Sequence, residues 1–357
     1  MPKKNLTAFY TVLILLIGQS LILVTLLLVD LGGGIQSWWR GDNEVAALKQ
    51  EIEKLKTEFR QSAMRSYVNS HQLPLPVVFC GDTLDTDDPV TRERLEREFF
   101  TLLNEQGQIQ LYLKRWARYL PMIEKYLREA NLPDDLKYVA VHESALLPQI
   151  RSRSNAVGLW QFMRATGRLY NLKINEYIDE RRESEKATAA AMIMFRDLKN
   201  ILGDWPLVLA SYNGGLGRVV REIEKQRTHS FFELSLPEET ERYYFKTVAT
   251  KIVLSQPEKF GFNMEGEDFH YKDKIENISV TIESDRIPLD DLARSFRLNP
   301  AQLKIYNPQL INSYLPRGIF NIRIPLENYL LYKRSQEKVE EISSTYSGVD
   351  ENQVNLD

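Results

Sequence analysis

One cysteine, Cys80, stands among the 357 residues. A lone thiol can close no internal disulfide and build no cysteine-rich metal site, so it is expected to be inert. An excess of charge is missing as well. The net charge is -3, positive residues are spread among negative ones, and no basic patch of the kind that tracks phosphates is present, which argues against a nucleic acid partner. His142 precedes Glu143, but the zinc pattern HExxH needs a second histidine at position 146, where Leu146 stands. That excludes a metallopeptidase of this type and leaves His142 as a peripheral residue. No metal and no cofactor is expected.

Residues 9–31 form a long apolar run, broken only by small or polar residues such as Thr11, Gly18, Gln19, Ser20 and Thr25, and long enough to cross a bilayer as a helix. Its one charge, Asp30, lies at the far end, and Lys3 and Lys4 precede it. The positive-inside rule then places residues 1–8 in the cytoplasm and the rest outside, with Trp38 and Trp39 at the outer interface. No small-x-small cleavage site follows, so an uncleaved single-pass anchor in the cytoplasmic (inner) membrane is predicted, with the remainder in the periplasm. Lipid attachment at Cys80 is excluded, because the apolar leader lies about 50 residues upstream. A helical stalk is expected over 40–70. Val45, Leu48, Ile52, Leu55 and Phe59 are spaced by threes and fours, a pattern that admits a weak homodimer through 44–59 or a solvated single helix. Residues 71–89, rich in proline and aspartate, read as an extended linker.

From Pro89 the pattern turns helical. Leu95, Phe99 and Leu102 give one apolar stripe, and Ile109, Tyr112, Trp116 and Tyr119 the next, both read as core packing. Pro133 with Asp134 and Asp135 then suits a helix start, and the helix should run to about Ser144. Along it Leu136, Val139, Ala140 and Glu143 share one face. Three are apolar and the fourth is a carboxylate, whose burial would raise its pKa as a general acid requires. The face alone equally admits a snorkelling or salt-bridged glutamate at a helix end. Glu185–Leu202, with its run of alanines, suits a central helix ended by Gly203. Pro206 opens the next, which delivers Tyr212 and Asn213 at its end before Gly214–Gly215.

The spacing of Glu143–Ser144, Pro148, Ser152, Asn155–Ala156, Gly158 and Trp160–Gln161 resembles the active-site segment of lytic transglycosylases of the goose-type lysozyme superfamily, in particular their membrane-bound members. The resemblance continues through Tyr170, Asp179–Arg181, Gly203–Trp205, Ala210–Asn213 and Leu236–Thr240 to Tyr243, covering roughly residues 90 to 262. It implies cleavage of the β-1,4 bond between N-acetylmuramic acid and N-acetylglucosamine in peptidoglycan, with formation of 1,6-anhydro-N-acetylmuramic acid. It also implies that Glu143 is the catalytic residue and that Tyr212 hydrogen-bonds it while Asn213 contacts sugar. Ser144, Ser152, Asn155, Gln161, Tyr170 and Tyr243 are implied to bind substrate or support the site. No second carboxylate lies where a two-acid glycosidase needs one. Asp135 is about 12 Å back along the helix, and Asp179 and Glu180 sit in an arginine-rich turn that favours ion pairing. The alternatives are a hydrolytic muramidase and an inactive peptidoglycan-binding scaffold.

A smaller module is expected at 274–326. Ile278, Val280 and Ile282 alternate as a strand, Leu289 to Phe296 and Pro300 to Tyr306 read as helices, and Phe320, Ile322 and Ile324 as a returning strand. The βααβ order resembles a lysin motif, with Ser284–Ile287 in place of the usual Gly-Asp-Thr-Leu and an extra segment at Ser313–Pro316. The tail, 327–357, begins with helical character and ends polar and disordered. The predicted fold is mainly α: a lysozyme-like helical catalytic domain (90–262), the small βααβ module and an N-terminal transmembrane helix.

Overall fold

The computed structural model describes residues 49–58, 72–262 and 274–335. The expected anchor at 9–31, most of the stalk and the end of the tail lie outside these residues. Among the described residues no helix is long and apolar enough to cross a membrane. The chain divides into two compact units, residues 1–71 and 72–357. In the first, residues 49–58 are helical and exposed on every side, with Lys56 and Glu53 paired at 2.7 Å on the surface.

The second unit begins with a correction. Residues 72–88, expected as an extended linker, are folded onto the helical part: Leu73, Val77, Phe79 and Leu84 are buried in its core. A two-rung hairpin, β1 (Val78–Phe79) and β2 (Asp82–Thr83), carries Phe79, and Val77 and Leu84 flank it, the Leu84 N–H donating to the Val77 carbonyl at 2.8 Å. Asp135 fastens it, accepting the Cys80 N–H and the Lys251 ammonium, each at 2.7 Å, while the same ammonium donates to the Val78 carbonyl at 2.6 Å. The Pro and Asp content marked turns rather than detachment. Cys80 sits half-buried in that turn, and burial pushes its thiol well above the ordinary range, away from reactivity.

Helix α1 (Pro89–Asn104) starts where Asp88 caps it, its carboxylate accepting the Thr91 N–H at 2.9 Å, and Pro89 takes the first turn. Helix α2 (Gln106–Glu129) buries Ile109, Leu113, Leu120, Ile123 and Leu127. A turn of 3₁₀ helix (Asp134–Leu136) leads into α3 (Lys137–Ser144), so the expected helix is present with its first turn tightened. After the loop and short α4 (Arg164–Leu169) come α5 (Ser184–Leu202), ended by Gly203 in the left-handed region, and α6 (Trp205–Gly214), with Pro206 in its first turn. Both ends fall as the glycines and proline predict. Helices α7 (Leu216–Gln226) and α8 (Glu238–Ser255) complete this part.

The spine of the core is α8 rather than the alanine-rich α5. Tyr243, Phe245, Val248, Ala249 and Val253 of α8 are all buried, and it packs against α1, α6 and α3. Its burial over most of its surface explains why periodicity alone did not single it out: a helix with only a narrow solvent face shows a weak stripe. Glu238, Glu239 and Glu241 occupy its first turn, where the helix dipole favours negative charge.

The C-terminal part has βααβ order. Strand β3 (Ile275–Pro288) pairs antiparallel with β4 (Tyr314–Pro325), placing Ile278 opposite Ile322 and Val280 opposite Phe320, with a bulge between Ile282 and Arg286. Between them lie α9 (Leu289–Ser295) and α10 (Pro300–Tyr306), the latter opened by a capping box of Asn299 and Gln302. The segment Ser313–Pro316 feeds the early start of β4 rather than standing apart from it. Residues 326–335 are helical and lay Tyr329 and Tyr332 on this small core. The two parts are knitted together: Ile178 enters the small core, the Asp179 N–H donates to the Gln309 carbonyl at 2.9 Å, and the Ile311 N–H donates to the Tyr177 carbonyl at 3.0 Å.

Candidate active site

Leu136 of the 3₁₀ turn and Val139 and Ala140 of α3 are fully buried, and the fourth member of the face, Glu143, is half-buried in the last turn of the helix, one residue before its end. Ala145 and Leu146 follow with φ of 52° and 57°, an abrupt left-handed exit that turns the chain out of the helix immediately after the acid. Arg115 caps that exit, donating to the Ala145 carbonyl at 2.9 Å.

The hydrogen bond expected from Tyr212 comes instead from Tyr243 of α8, whose hydroxyl donates to Glu143 Oε1 at 2.5 Å. Tyr212 donates to the Trp160 carbonyl at 2.6 Å and stacks between Phe195 (5.0 Å) and Tyr243 (6.4 Å). The reason is positional: Tyr243 lies on the helix that packs against α3, whereas the end of α6 faces the Trp160 turn. His142, expected to be peripheral, is half-buried edge-on against the Tyr243 ring at 5.1 Å. It therefore braces the residue that holds the acid.

No cation among the described residues pairs with Glu143. Burial dominates, with a further push from the charge of Glu239, while the Tyr243 hydrogen bond and the more distant Lys246 pull the other way; the carboxyl is raised to about 7. Burial likewise pushes His142 down to about 4, so it is neutral where Glu143 titrates. Burial and the nearby carboxylate together push Tyr212 and Tyr243 well up, which keeps both phenols protonated as donors. The arrangement is an acid poised near neutrality, held by a neutral donor and able to give and take one proton.

The loop after α3 is built on itself. Ser152 N–H donates to the Ala156 carbonyl (2.9 Å) and Ser152 Oγ accepts the Ala156 N–H (3.0 Å), while Val157 bridges to both Arg151 and Phe162. Gly158 has φ of 90°, and a Cβ there would lie 1.7 Å from the Arg181 carbonyl oxygen, so only glycine allows the close approach. Arg181 is the post of the loop, donating to the Phe162 carbonyl at 2.9 Å and the Asn155 carbonyl at 3.2 Å while Asp179 holds its other face at 2.7 and 2.9 Å. This buried pair is the ion pairing expected of the turn; Glu180 likewise pairs with Lys186 at 2.6 Å.

The structure thus gathers Glu143, Tyr243, Tyr212 and the Trp160 carbonyl. Ser144 bonds the Ala140 carbonyl within α3, Asn155 accepts from Arg151, and Gln161 donates to the Gly158 carbonyl at 2.8 Å. Tyr170 caps α4 with its ring 6.4 Å from Phe162, and Asn213 accepts from Thr240 at 3.0 Å. Those side chains shape the loop and the α6–α8 junction rather than the acid itself. Sequence reasoning missed two contributors. His142 lies off the apolar stripe of its helix, so periodicity does not mark it. Glu239 is exposed, sits one turn before Tyr243 on α8, and places a negative charge within reach of Glu143; its i, i+4 spacing to Tyr243 was the available signal.

Residues 121–234 match the family model described as "Transglycosylase SLT domain". The chain is 31% identical over 195 residues to "Membrane-bound lytic murein transglycosylase D" of Escherichia coli K12, an alignment covering 53% of this chain and 43% of that protein. It is 27% identical over 143 residues to a "Putative tributyltin chloride resistance protein" of Alteromonas sp. strain M-1, covering 39% of this chain and 69% of that one. Among solved structures, the 70 kDa soluble lytic transglycosylase of E. coli aligns at 16% identity and a TM-score of 0.35, over 65% of this chain and 48% of the other. An inactive mutant of the lytic transglycosylase Slt from Pseudomonas aeruginosa aligns at 18% and 0.33, over 39% and 24%. The chain spans less than half the length of the E. coli transglycosylase D it matches. The matched domain takes in Glu143, Trp160 and Tyr212 and ends before Tyr243.

Proposed function

We propose that this chain is a lytic transglycosylase of the SLT superfamily, acting on the glycan strands of peptidoglycan at the bond between N-acetylmuramic acid and N-acetylglucosamine. The observation that carries the reading is the half-buried Glu143, raised to about 7 and held by a neutral phenol with no cation paired to it. Such a group is protonated often enough to act as an acid and ionised often enough to act as a base. Glu143 gives its proton to the glycosidic oxygen as the bond from that oxygen to C1 of the muramic acid breaks. The 6-hydroxyl of the same sugar then closes on C1, and its proton returns to Glu143. The product is a 1,6-anhydro sugar, no water is consumed, and the acid is restored. An internal hydroxyl held in line can outcompete bulk water through effective molarity. Mass spectrometry of products from purified peptidoglycan tests this: anhydro ends, lighter by one water and resistant to borohydride, are expected.

One observation favours a second reading. Glu239 brings a second carboxylate into electrostatic range of Glu143, and a paired carboxylate could activate water in a hydrolytic muramidase. Reducing, borohydride-sensitive ends would select that reading.

We also infer that residues 9–31 anchor the chain in the cytoplasmic membrane with the catalytic part facing the periplasm; the apolar run after Lys3 and Lys4 supports this. The βααβ order of residues 274–326 supports a lysin-motif-like module that touches glycan. Protease added to spheroplasts should remove the C-terminal mass, and protection of that mass would contradict the topology.

A further inference from the structure

Between the α3 exit loop and α10 lies a recess of about 640 Å³, bounded by residues of both the helical part and the βααβ part. Its cations are Arg115 and Arg118 of α2, Arg182 of the turn before α5, and Lys304 of α10. No aspartate or glutamate lines it. The remaining wall is mainly apolar, with Pro148, Ile305 and Ile311 among its members and Tyr119 and Gln149 as its polar side chains.

One of these cations is fixed by a hydrogen bond and another keeps a buried donor unmet. Arg115 is fixed by its bond to the Ala145 carbonyl. Arg182 is half-buried, and its Nε is fully buried with no hydrogen-bond partner, an unmet donor of the kind that costs stability unless something accepts from it. A smaller recess of about 300 Å³ shares Arg182 and Ile311 and adds Arg151, Arg164 and the Asp179–Arg181 pair, so its cations outnumber its one carboxylate. Burial pulls both Arg115 and Arg182 down from the ordinary guanidinium range, the mark of positive charge held out of water.

We propose that this recess binds carboxylates of the peptide stems carried by the glycan strand. The proposal rests on the peptidoglycan reading above. Planar guanidiniums match carboxylates in paired hydrogen bonds, and apolar walls between them suit short aliphatic side chains, so the lining fits an acidic peptide better than an uncharged sugar. A concave recess of this size suits a small ligand, whereas a lipid surface is met by an exposed face. The wall Leu146–Gln149 begins three residues after Glu143. A stem of four residues spans about 13 Å when extended, long enough to reach beyond its own sugar. The βααβ part then has a task beyond packing: Lys304 and Ile305 supply the far wall, without which the cations of α2 would face open solvent.

The test uses the full chain in detergent micelles and the synthetic peptide L-alanyl-γ-D-glutamyl-diaminopimelyl-D-alanine as probe. Calorimetry should detect binding that weakens at least about fivefold in Lys304→Glu and more mildly in Lys304→Gln, an exposed position where the fold tolerates change. Arg182→Gln should weaken it as well, with circular dichroism confirming that the variant is folded. In turnover, the ratio of kcat/KM on stem-bearing strands to that on strands stripped of stems by an amidase should fall several-fold in Lys304→Glu. No peptide binding by the wild type, or equal binding by Lys304→Glu, overturns the proposal. So does charge-sensitive binding of phosphatidylglycerol vesicles without peptide binding, which would assign the cations to lipid headgroups. Calorimetry needs no turnover, so a wild-type chain that cleaves neither kind of strand would refute the proposed activity and leave the stem site to be judged on the peptide alone.

Discussion

Two carboxylates lie within the same helical part and are treated in opposite ways. Asp179 is buried against Arg181 with two short hydrogen bonds, and Arg181 spends its remaining donors on the Phe162 and Asn155 carbonyls. Glu143 has one hydrogen bond from a phenol and no cation paired to it among the described residues. The first arrangement satisfies its charge and fixes a loop; the second leaves an acid with its charge uncompensated. A pair that is fully matched has no proton to spare, and a group that exchanges protons near neutral pH cannot be fully matched. The contrast makes the Asp179 turn a scaffold and Glu143 a reagent.

The largest effect that sharpens this contrast is on turnover. Glu143→Gln keeps the shape but can neither give nor accept the proton, and should lower kcat on peptidoglycan by about a thousandfold or more. Release of anhydro products within a few-fold of the parent protein would remove Glu143 from its role. Arg181→Met attacks the other side. It strands the buried Asp179 carboxylate and frees two loop carbonyls, with an expected loss of about 3–5 kcal/mol in urea unfolding. A loss below about 1 kcal/mol would show that the pair is dispensable to the loop.

Glu143 should also carry a measurable stability cost, smaller than that of breaking the Asp179 pair. Its folded pKa of about 7 stands above its ordinary 4.5, so the folded state holds more protons than the unfolded chain between those values. Its contribution to stability is therefore complete below about 4.5 and lost as pH rises through about 7. At pH 8 the buried charge costs up to about 3 kcal/mol. Glu143→Gln should raise Tm by several degrees at pH 8 and by much less at pH 5. His142, lowered to about 4, is neutral at both pH values in both proteins, so the difference isolates Glu143. Equal Tm gains at the two pH values would mean that the carboxyl is not desolvated.

Most of the helical frame was legible because its signals are local. Pro89, Gly203, Pro206 and Gly214–Gly215 each mark a helix end by backbone chemistry that tertiary structure does not override. The acid was legible through the motif spacing that follows it, since an apolar face broken by one carboxylate equally admits a snorkelling or salt-bridged glutamate. What the sequence hid was pairing across the fold. Tyr212 and Tyr243 are both phenols on helices near the site, and only the packing of α8 against α3 decides which one meets Glu143. The 72–88 segment was hidden for the same reason: Phe79 and Leu84 are too few for periodicity, and their burial depends on Asp135 and Lys251, which are distant in sequence.

Tyr243 offers the finest test, because it separates holding the acid from being the acid. Its hydroxyl donates to the ionised carboxylate, which favours the charged form and lowers the pKa against the push of burial. In Tyr243→Phe that restraint is gone while the ring, stacked near Tyr212 and braced by His142, stays in place. A hydrogen bond to a charged group is worth about 1.5 kcal/mol, so the pKa of Glu143 should rise by roughly one unit. Since the first step needs the protonated acid, the alkaline limb of the pH–activity profile should move upward by the same amount. The maximum should fall by about tenfold, because a weaker acid is slower to give its proton and the carboxyl is no longer aimed. A purely structural tyrosine would lower activity at every pH and leave the limb where it was, and that outcome would reduce Tyr243 to packing.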